Sequence, residues 1–213
     1  MKDLFILVAD KDCEQCVLAL LGRWQALEQF GIRPFTFDVR VHPKKDGGCR
    51  TKSLDLMRAV QRSYRYGVVL FDHEGCGAED TAASTVAVAV QNELEINGWA
   101  DRVAVLLHEP ELENWIWTDH DRMAQTAGWR GKQELYAHLE TMGWALKTNG
   151  KPVRPKESFE GALRTKRVQW SAALFGEIAE HAPLRRCEDP TFKTFMAQLA
   201  AWFPLDQQDQ AND

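Results

Sequence analysis

Three stretches of the chain carry unbroken apolar cores: DLFILVA (3–9), VVLFD (68–72) and RVAVLLHEP (102–110). A strand that alternates apolar and polar residues shows one face to water, whereas a continuous run belongs to a strand buried on both faces. PFTFDVRVHP (34–43) does alternate, through Phe35, Phe37, Val39 and Val41, and predicts a strand with one apolar face. Helical spacing fills the gaps between these runs. Val17, Leu20, Leu21, Trp24 and Leu27 predict a helix from Cys13 to Gly31. After a loop, KKDGGCR (44–50), Leu54, Met57, Val60 and Tyr64 predict a second helix that closes near Gly67. Val86, Val90 and Leu94 predict a third, capped by Asp80 and running to about Gly98. Strands alternating with helices in this order imply an α/β fold: a four-stranded, mainly parallel, Rossmann-like sheet flanked by helices.

The second half reads differently. Pro110 opens a short helix, ELENWIWTD (111–119), and no strand is expected after residue 118. Helices are expected over 132–142 and 159–181, separated by KTNGKPVRPKES (147–158), a loop broken by two prolines. A last helix starts with Asp189 as cap and Pro190 in its first turn, and carries Phe192, Phe195, Met196, Leu199, Trp202 and Phe203 inward. The chain thus divides into an α/β domain over 1–118, a helical part over 119–205 packed on it, and a frayed tail over 206–213.

A net charge of −5 argues against a surface coated in basic charge, and no apolar run reaches the roughly 18 residues of a membrane span. A cytoplasmic protein with no membrane partner is expected. Positive charge is nevertheless concentrated at 147–167, where Lys147, Lys151, Arg154, Lys156, Arg164, Lys166 and Arg167 face only Glu157 and Glu160 in number. Arg154, Lys156, Arg164 and Arg167 are the candidates for neutralising nucleic-acid phosphates, with a solvated loop as the plainer alternative. Five cysteines without a secretion signal do not suggest a disulfide framework. Cys13 and Cys16 form a C-x-x-C pair, but the carboxylates in DKDCEQC oppose thiolate formation, and a zinc set with Cys49, Cys76, His42 or His73 lacks a second paired motif. No phosphate-binding glycine loop and no G-x-S-x-G elbow is present, which argues against nucleotide hydrolysis and acyl transfer.

In a parallel sheet the carboxyl ends of the strands share one edge, and ligands bind there. The four strand ends supply Asp10, Lys11 and Asp12; His42 and then Asp46; Asp72, His73 and Glu74; and His108, Glu109, Glu111 and Glu113. Two unit charges about 4 Å apart repel by roughly 4 kcal/mol at an effective dielectric of about 20. A hard divalent cation removes that cost, and oxygen ligands suit Mg2+ or Mn2+. Each acid also has a structural role open to it: Asp10 as a helix cap, Asp72 as a brace for the Gly75–Gly77 turn, and the glutamates near Pro110 at a helix start.

Asp10 with Glu14, the D-x-E-G at Asp72, Glu74 and Gly75, and PELENW (110–115) together resemble the TOPRIM-like proteins of bacterial anti-phage systems. The closing CEDPTFKTFMAQLAAWFP resembles the last helix of that group, and HPKKDGGC, DHEGCG, PELENWIW and KPVRPKE resemble, more narrowly, a component of the methylation-associated defence system, the resemblance spanning Leu4 to Pro204. The resemblance implies a nuclease-like protein that cleaves DNA or RNA phosphodiesters with Mg2+ or Mn2+ and works with other proteins of its defence system. By position, Asp10 takes the acid/base role, Asp72 and Glu74 hold the metal, and Glu113 adds an acid beside it; His42 or His73, at the same strand ends, is expected to shuttle protons. Asp10 stands where the family has Glu, Lys11 where it has a small Gly, and Glu74 where it has Asp. Those departures keep open a second reading, a non-catalytic assembly or sensor subunit that binds a partner at the same edge.

Overall fold

The computed structural model describes residues 1–117 and 120–205. The tail over 206–213 and the end of ELENWIWTD lie outside the described residues. Four strands, β1 (Lys2–Val8), β2 (Phe37–Val41), β3 (Tyr64–Asp72) and β4 (Val103–His108), form one sheet in the order β2-β1-β3-β4. All three pairings are parallel. The α/β architecture with a four-stranded parallel sheet is therefore the one that the apolar runs imply.

Both faces of the sheet are covered. Leu4, Ile6 and Val8 of β1 point into one core and Phe5 and Leu7, with Ala9 just beyond the strand, into the other, and β3 divides Val68 and Leu70 from Val69 and Phe71 in the same way. Only β2, at one edge, is half-buried throughout its inward face. Helices α3 (Lys45–Val60) and α4 (Ala83–Leu94) cover one face. Helix α1 (Lys11–Leu21) and the short α2 (Trp24–Glu28) lie on the other, together with α5 (Glu113–Ile116), α6 (His120–Thr126), α7 (Lys132–Thr141), α8 (Pro155–Lys166), α9 (Ala172–His181) and α10 (Pro190–Trp202). The C-terminal helices do not build a separate core. Phe159, Phe175 and Phe195 are fully buried in the same cluster as Leu4, Ile6 and Leu106, each such side chain contributing about 1.5–3 kcal/mol by burial.

Several boundaries differ from the sequence expectation. The helix expected from Cys13 to Gly31 breaks at Gly22, and Arg23 instead donates to the carbonyls of Ala179 (2.7 Å) and Ala182 (2.8 Å) at the end of α9. The expected loop KKDGGCR is mostly helical, because α3 begins at Lys45. Gly48 has a packing reason: a Cβ there would stand 2.2 Å from Nδ1 of His42. Tyr64 opens β3 rather than closing the preceding helix, its hydroxyl bonded to Asp38. Helix α4 starts after Ala82, not at Asp80, and a wide turn through Gly98 (φ 95°) follows it. The helix expected over 159–181 is two, α8 and α9, separated by Arg167 in the left-handed region (φ 57°), and α8 reaches back to Pro155 in the expected loop. Helix α6 has no counterpart in the sequence reading. Asp189 does cap α10, accepting the Phe192 amide at 3.0 Å.

Candidate functional site

β1 lies between β2 and β3, so the chain leaves β1 toward one side and returns to pair on the other. That reversal opens a crevice at the carboxyl ends of β1 and β3, where open α/β sheets bind ligands. Asp10 follows β1, and its Oδ1 accepts the Cys13 amide at 2.9 Å as the cap of α1. Asp72 ends β3; its Oδ1 accepts the Leu112 amide at 3.0 Å, from the segment after β4. Asp46, in the first turn of α3, accepts the Asp72 amide at 2.9 Å. Glu111 and Glu113, both buried, complete the group from the β4–α5 connection.

The acids act strongly on one another. Burial pushes the Asp72 carboxyl well above its ordinary range, and the charges of Glu113, Asp46, Asp10 and Glu111 push in the same direction. Glu113 is pushed up to about 8, first by burial, then by Glu111 and Asp10, with Lys156 opposing. Asp46 and Glu111 also rise through burial, Asp10 adding at Asp46 and Glu74 adding at Glu111. Glu113 is only 3% exposed, and its Oε2 has no hydrogen-bond partner among the described residues. A buried carboxylate oxygen without a partner is costly, and a proton or a cation is what it lacks. Lys156 reaches the group, its Nζ 3.4 Å from Glu111 Oε1. Burial works against its charge, yet Glu113, Glu111 and Asp72 hold its pKa above the ordinary lysine value.

The residues expected at the site divide into two sets. Asp10, Asp72 and Glu113 come together, and Asp46 and Glu111, which the sequence set at strand ends without a role, join them. Glu74 is exposed and acts electrostatically on Glu111. His42 is buried beneath α3, its Nδ1 accepting the Lys44 amide at 3.0 Å, and burial lowers its pKa. The His73 ring bonds to the Thr81 carbonyl at 2.8 Å, on the loop after β3. Both imidazoles bond to backbone groups rather than to Asp72 or Glu113. The Gly75–Gly77 turn is braced by Glu79, whose Oε1 accepts both glycine amides, and not by Asp72. Of the four basic candidates, Lys156 faces the acids. Arg154 is exposed and paired with Glu157, and Arg164 and Arg167 are exposed toward the other end of α8.

The thiols are all free and buried. Cys13 Sγ lies 3.9 Å from His108 Nε2, and burial raises Cys13 far above, and Cys16 to about 12, the range of a reactive thiol. His108 is itself pushed down to about 4 by burial, so the pair is neutral.

The site's donors are of the kind a hard divalent cation takes: carboxylate oxygens, one of them buried and unpartnered. Their spacing is open, for among the described residues no group of three or more His, Cys, Asp or Glu side chains is arranged to hold a metal ion. No helix among them is long and apolar enough to cross a membrane. No family profile, curated protein or solved structure matches the chain.

Proposed function

We propose that this protein is a divalent-metal-dependent, nuclease-like component of a bacterial anti-phage defence system, acting on DNA or RNA phosphodiesters. One observation carries the reading: Asp10, Asp46, Asp72, Glu111 and Glu113 crowd the β1/β3 crevice, with a Glu113 oxygen left unpartnered. Such repulsion lowers stability unless the site has a positive ligand to receive. Asp10, Asp72 and Glu113 are the residues to hold Mg2+ or Mn2+, drawing inward from their present open spacing. A bound cation would polarise the phosphodiester and stabilise the charge that develops on it. Asp10, with Oδ1 engaged by the α1 cap, is fixed in position to assist a proton transfer. Arg164, two turns beyond Lys156 on α8, stands about 12 Å along the helix and extends a cationic track away from the crevice.

The open spacing of the acids and the use of Asp10 as a helix cap favour a second reading, a non-catalytic subunit that binds another protein of the system at this edge. Magnesium and manganese titrations with DNA and RNA substrates, wild type beside Asp72→Asn, separate the two. Cleavage by wild type that Asp72→Asn abolishes is the expected result. At a metal concentration about 100 times the dissociation constant, the metal should also add about 2.7 kcal/mol of stability, a rise in Tm of roughly 5–10 °C. A wild-type protein with neither cleavage nor a metal-dependent rise in Tm leaves the binding-subunit reading.

A further inference from the structure

Lys156 is placed by an anchored backbone and a loose side chain. Its neighbour Pro155 is buried and accepts the Trp117 indole N–H at 3.1 Å, while Ser158 and Phe159 are fully buried on the same helix. The Lys156 side chain itself is 42% exposed, and 3.4 Å to Glu111 is longer than the roughly 2.7–2.9 Å of a close ammonium–carboxylate bond. Its charge nevertheless acts on Asp12, Asp46, Glu111 and Glu113 together. The helix therefore holds the ammonium over the mouth of the crevice, close enough to offset several carboxylates and free enough to swing outward.

A positive charge in that position opposes any second cation entering the same group. An anionic substrate approaching the mouth meets the half-exposed ammonium before it meets buried Glu111 and Glu113, and a short side-chain rotation can bring the ammonium to it. We propose that Lys156 is a tethered cation that competes with a divalent ion for the carboxylate group, and that a phosphodiester, by drawing the ammonium off Glu111, lets the ion enter. The proposal rests on the metal-dependent reading above and deepens it: metal and nucleic acid bind with positive coupling, and the protein holds metal weakly until substrate arrives.

The test is Mn2+ binding to the full chain, followed by the spectroscopic signal of free Mn2+, with and without a short oligothymidylate. Lys156→Met keeps the apolar stem and removes the charge; Lys156→Arg keeps the charge. Lys156→Met should bind Mn2+ alone about tenfold tighter than wild type, the scale of one charge contact at a partly exposed site. The oligonucleotide should tighten Mn2+ binding to wild type and to Lys156→Arg, and leave Lys156→Met unchanged. Wild type that binds Mn2+ with Lys156→Met no tighter overturns the competition and leaves the metal site standing. Absence of Mn2+ binding in all three proteins removes the metal site and the competition with it. The Tm values of the metal-free Lys156→Met, Glu111→Gln and double variants should be non-additive; additive losses would show that Lys156 does not serve the acids at all.

Discussion

Oδ1 of Asp46 accepts the backbone N–H of Asp72 at 2.9 Å, so a side-chain to main-chain bond holds two acids of one crevice together. The bond locks the first turn of α3 to the end of β3. Gly48, two residues beyond Asp46 on the same helix, lies close against the His42 ring.

Gly48→Ala should therefore act at a distance. The added methyl, 2.2 Å from His42 Nδ1, forces the ring or the first turn of α3 to move, at a cost of about 1–3 kcal/mol. His42→Ala, which removes the ring, should recover part of that loss in the double variant. Chemical denaturation of the three proteins checks it; a Gly48→Ala protein as stable as wild type contradicts the packing.

Metal-free stability should fall as pH rises past neutrality. Glu113 is held up to about 8, so the folded protein keeps its proton where the unfolded chain has released it, and stability present at low pH is lost as pH rises through that value. His108, pushed down to about 4, acts in the opposite sense only below its ordinary value of 6.5, so the interval above it belongs to the acids. Between about pH 6.5 and 8.5 the loss attributable to Glu113 is on the order of 1–2 kcal/mol. Denaturation at the two pH values should show that difference in wild type and a smaller one in Glu113→Gln.

Asp189 should be among the most sensitive positions away from the crevice. Buried at the start of α10, it accepts the Phe192 amide, the Trp115 indole N–H at 2.9 Å and the Asn114 amide at 2.6 Å. Asp189→Ala removes a helix cap and strands two buried donors, costing roughly 3 kcal/mol or more. Since Asn114 and Trp115 adjoin Glu113 on α5, the variant should also lose the metal-dependent rise in Tm. Thermal melts with chelator and with excess Mn2+ read both effects.

The thiols should be inert while the protein is folded. Cys13 and Cys16 are buried and shifted away from thiolate, and Cys49, Cys76 and Cys187 are buried too. A thiol reagent at neutral pH should react slowly with native protein and with five thiols in denaturant. Fast labelling of the native chain, or zinc retained through purification, contradicts this.

Much of the fold was legible because parallel strands buried on both faces leave unbroken apolar runs, which tolerate small errors of register. The acids at Asp10, Asp72 and Glu113 were legible for a related reason: all carboxyl ends of such a sheet share an edge. Asp46 was placed at that edge but not in a helix, since two successive glycines disfavour a helix by about 1 kcal/mol each, and no sequence pattern marks the His42 ring against which Gly48 packs. The break at Arg167 carried no glycine or proline to mark it. Lys156 was legible as a charge but not as a direction. A count of basic residues assigned it to solvent and phosphates, whereas the turn of α8 at Pro155 aims it at Glu111.

The covering of the sheet by the C-terminal helices bears on how this chain can be recombined. Val68, Leu70, Ala104 and Leu106 lie in the core that those helices close, and Arg23 is fastened to the end of α9. A chain ending near residue 118 would present that half of the sheet bare to water. The same helices bring Lys156 to the crevice and Trp170, whose indole N–H donates to Asp12 at 2.8 Å. Neither half is an exchangeable cassette: a graft that moved the strands would leave behind the lysine that tempers their charge, and one that moved the helices would carry a lysine with no acids to answer it.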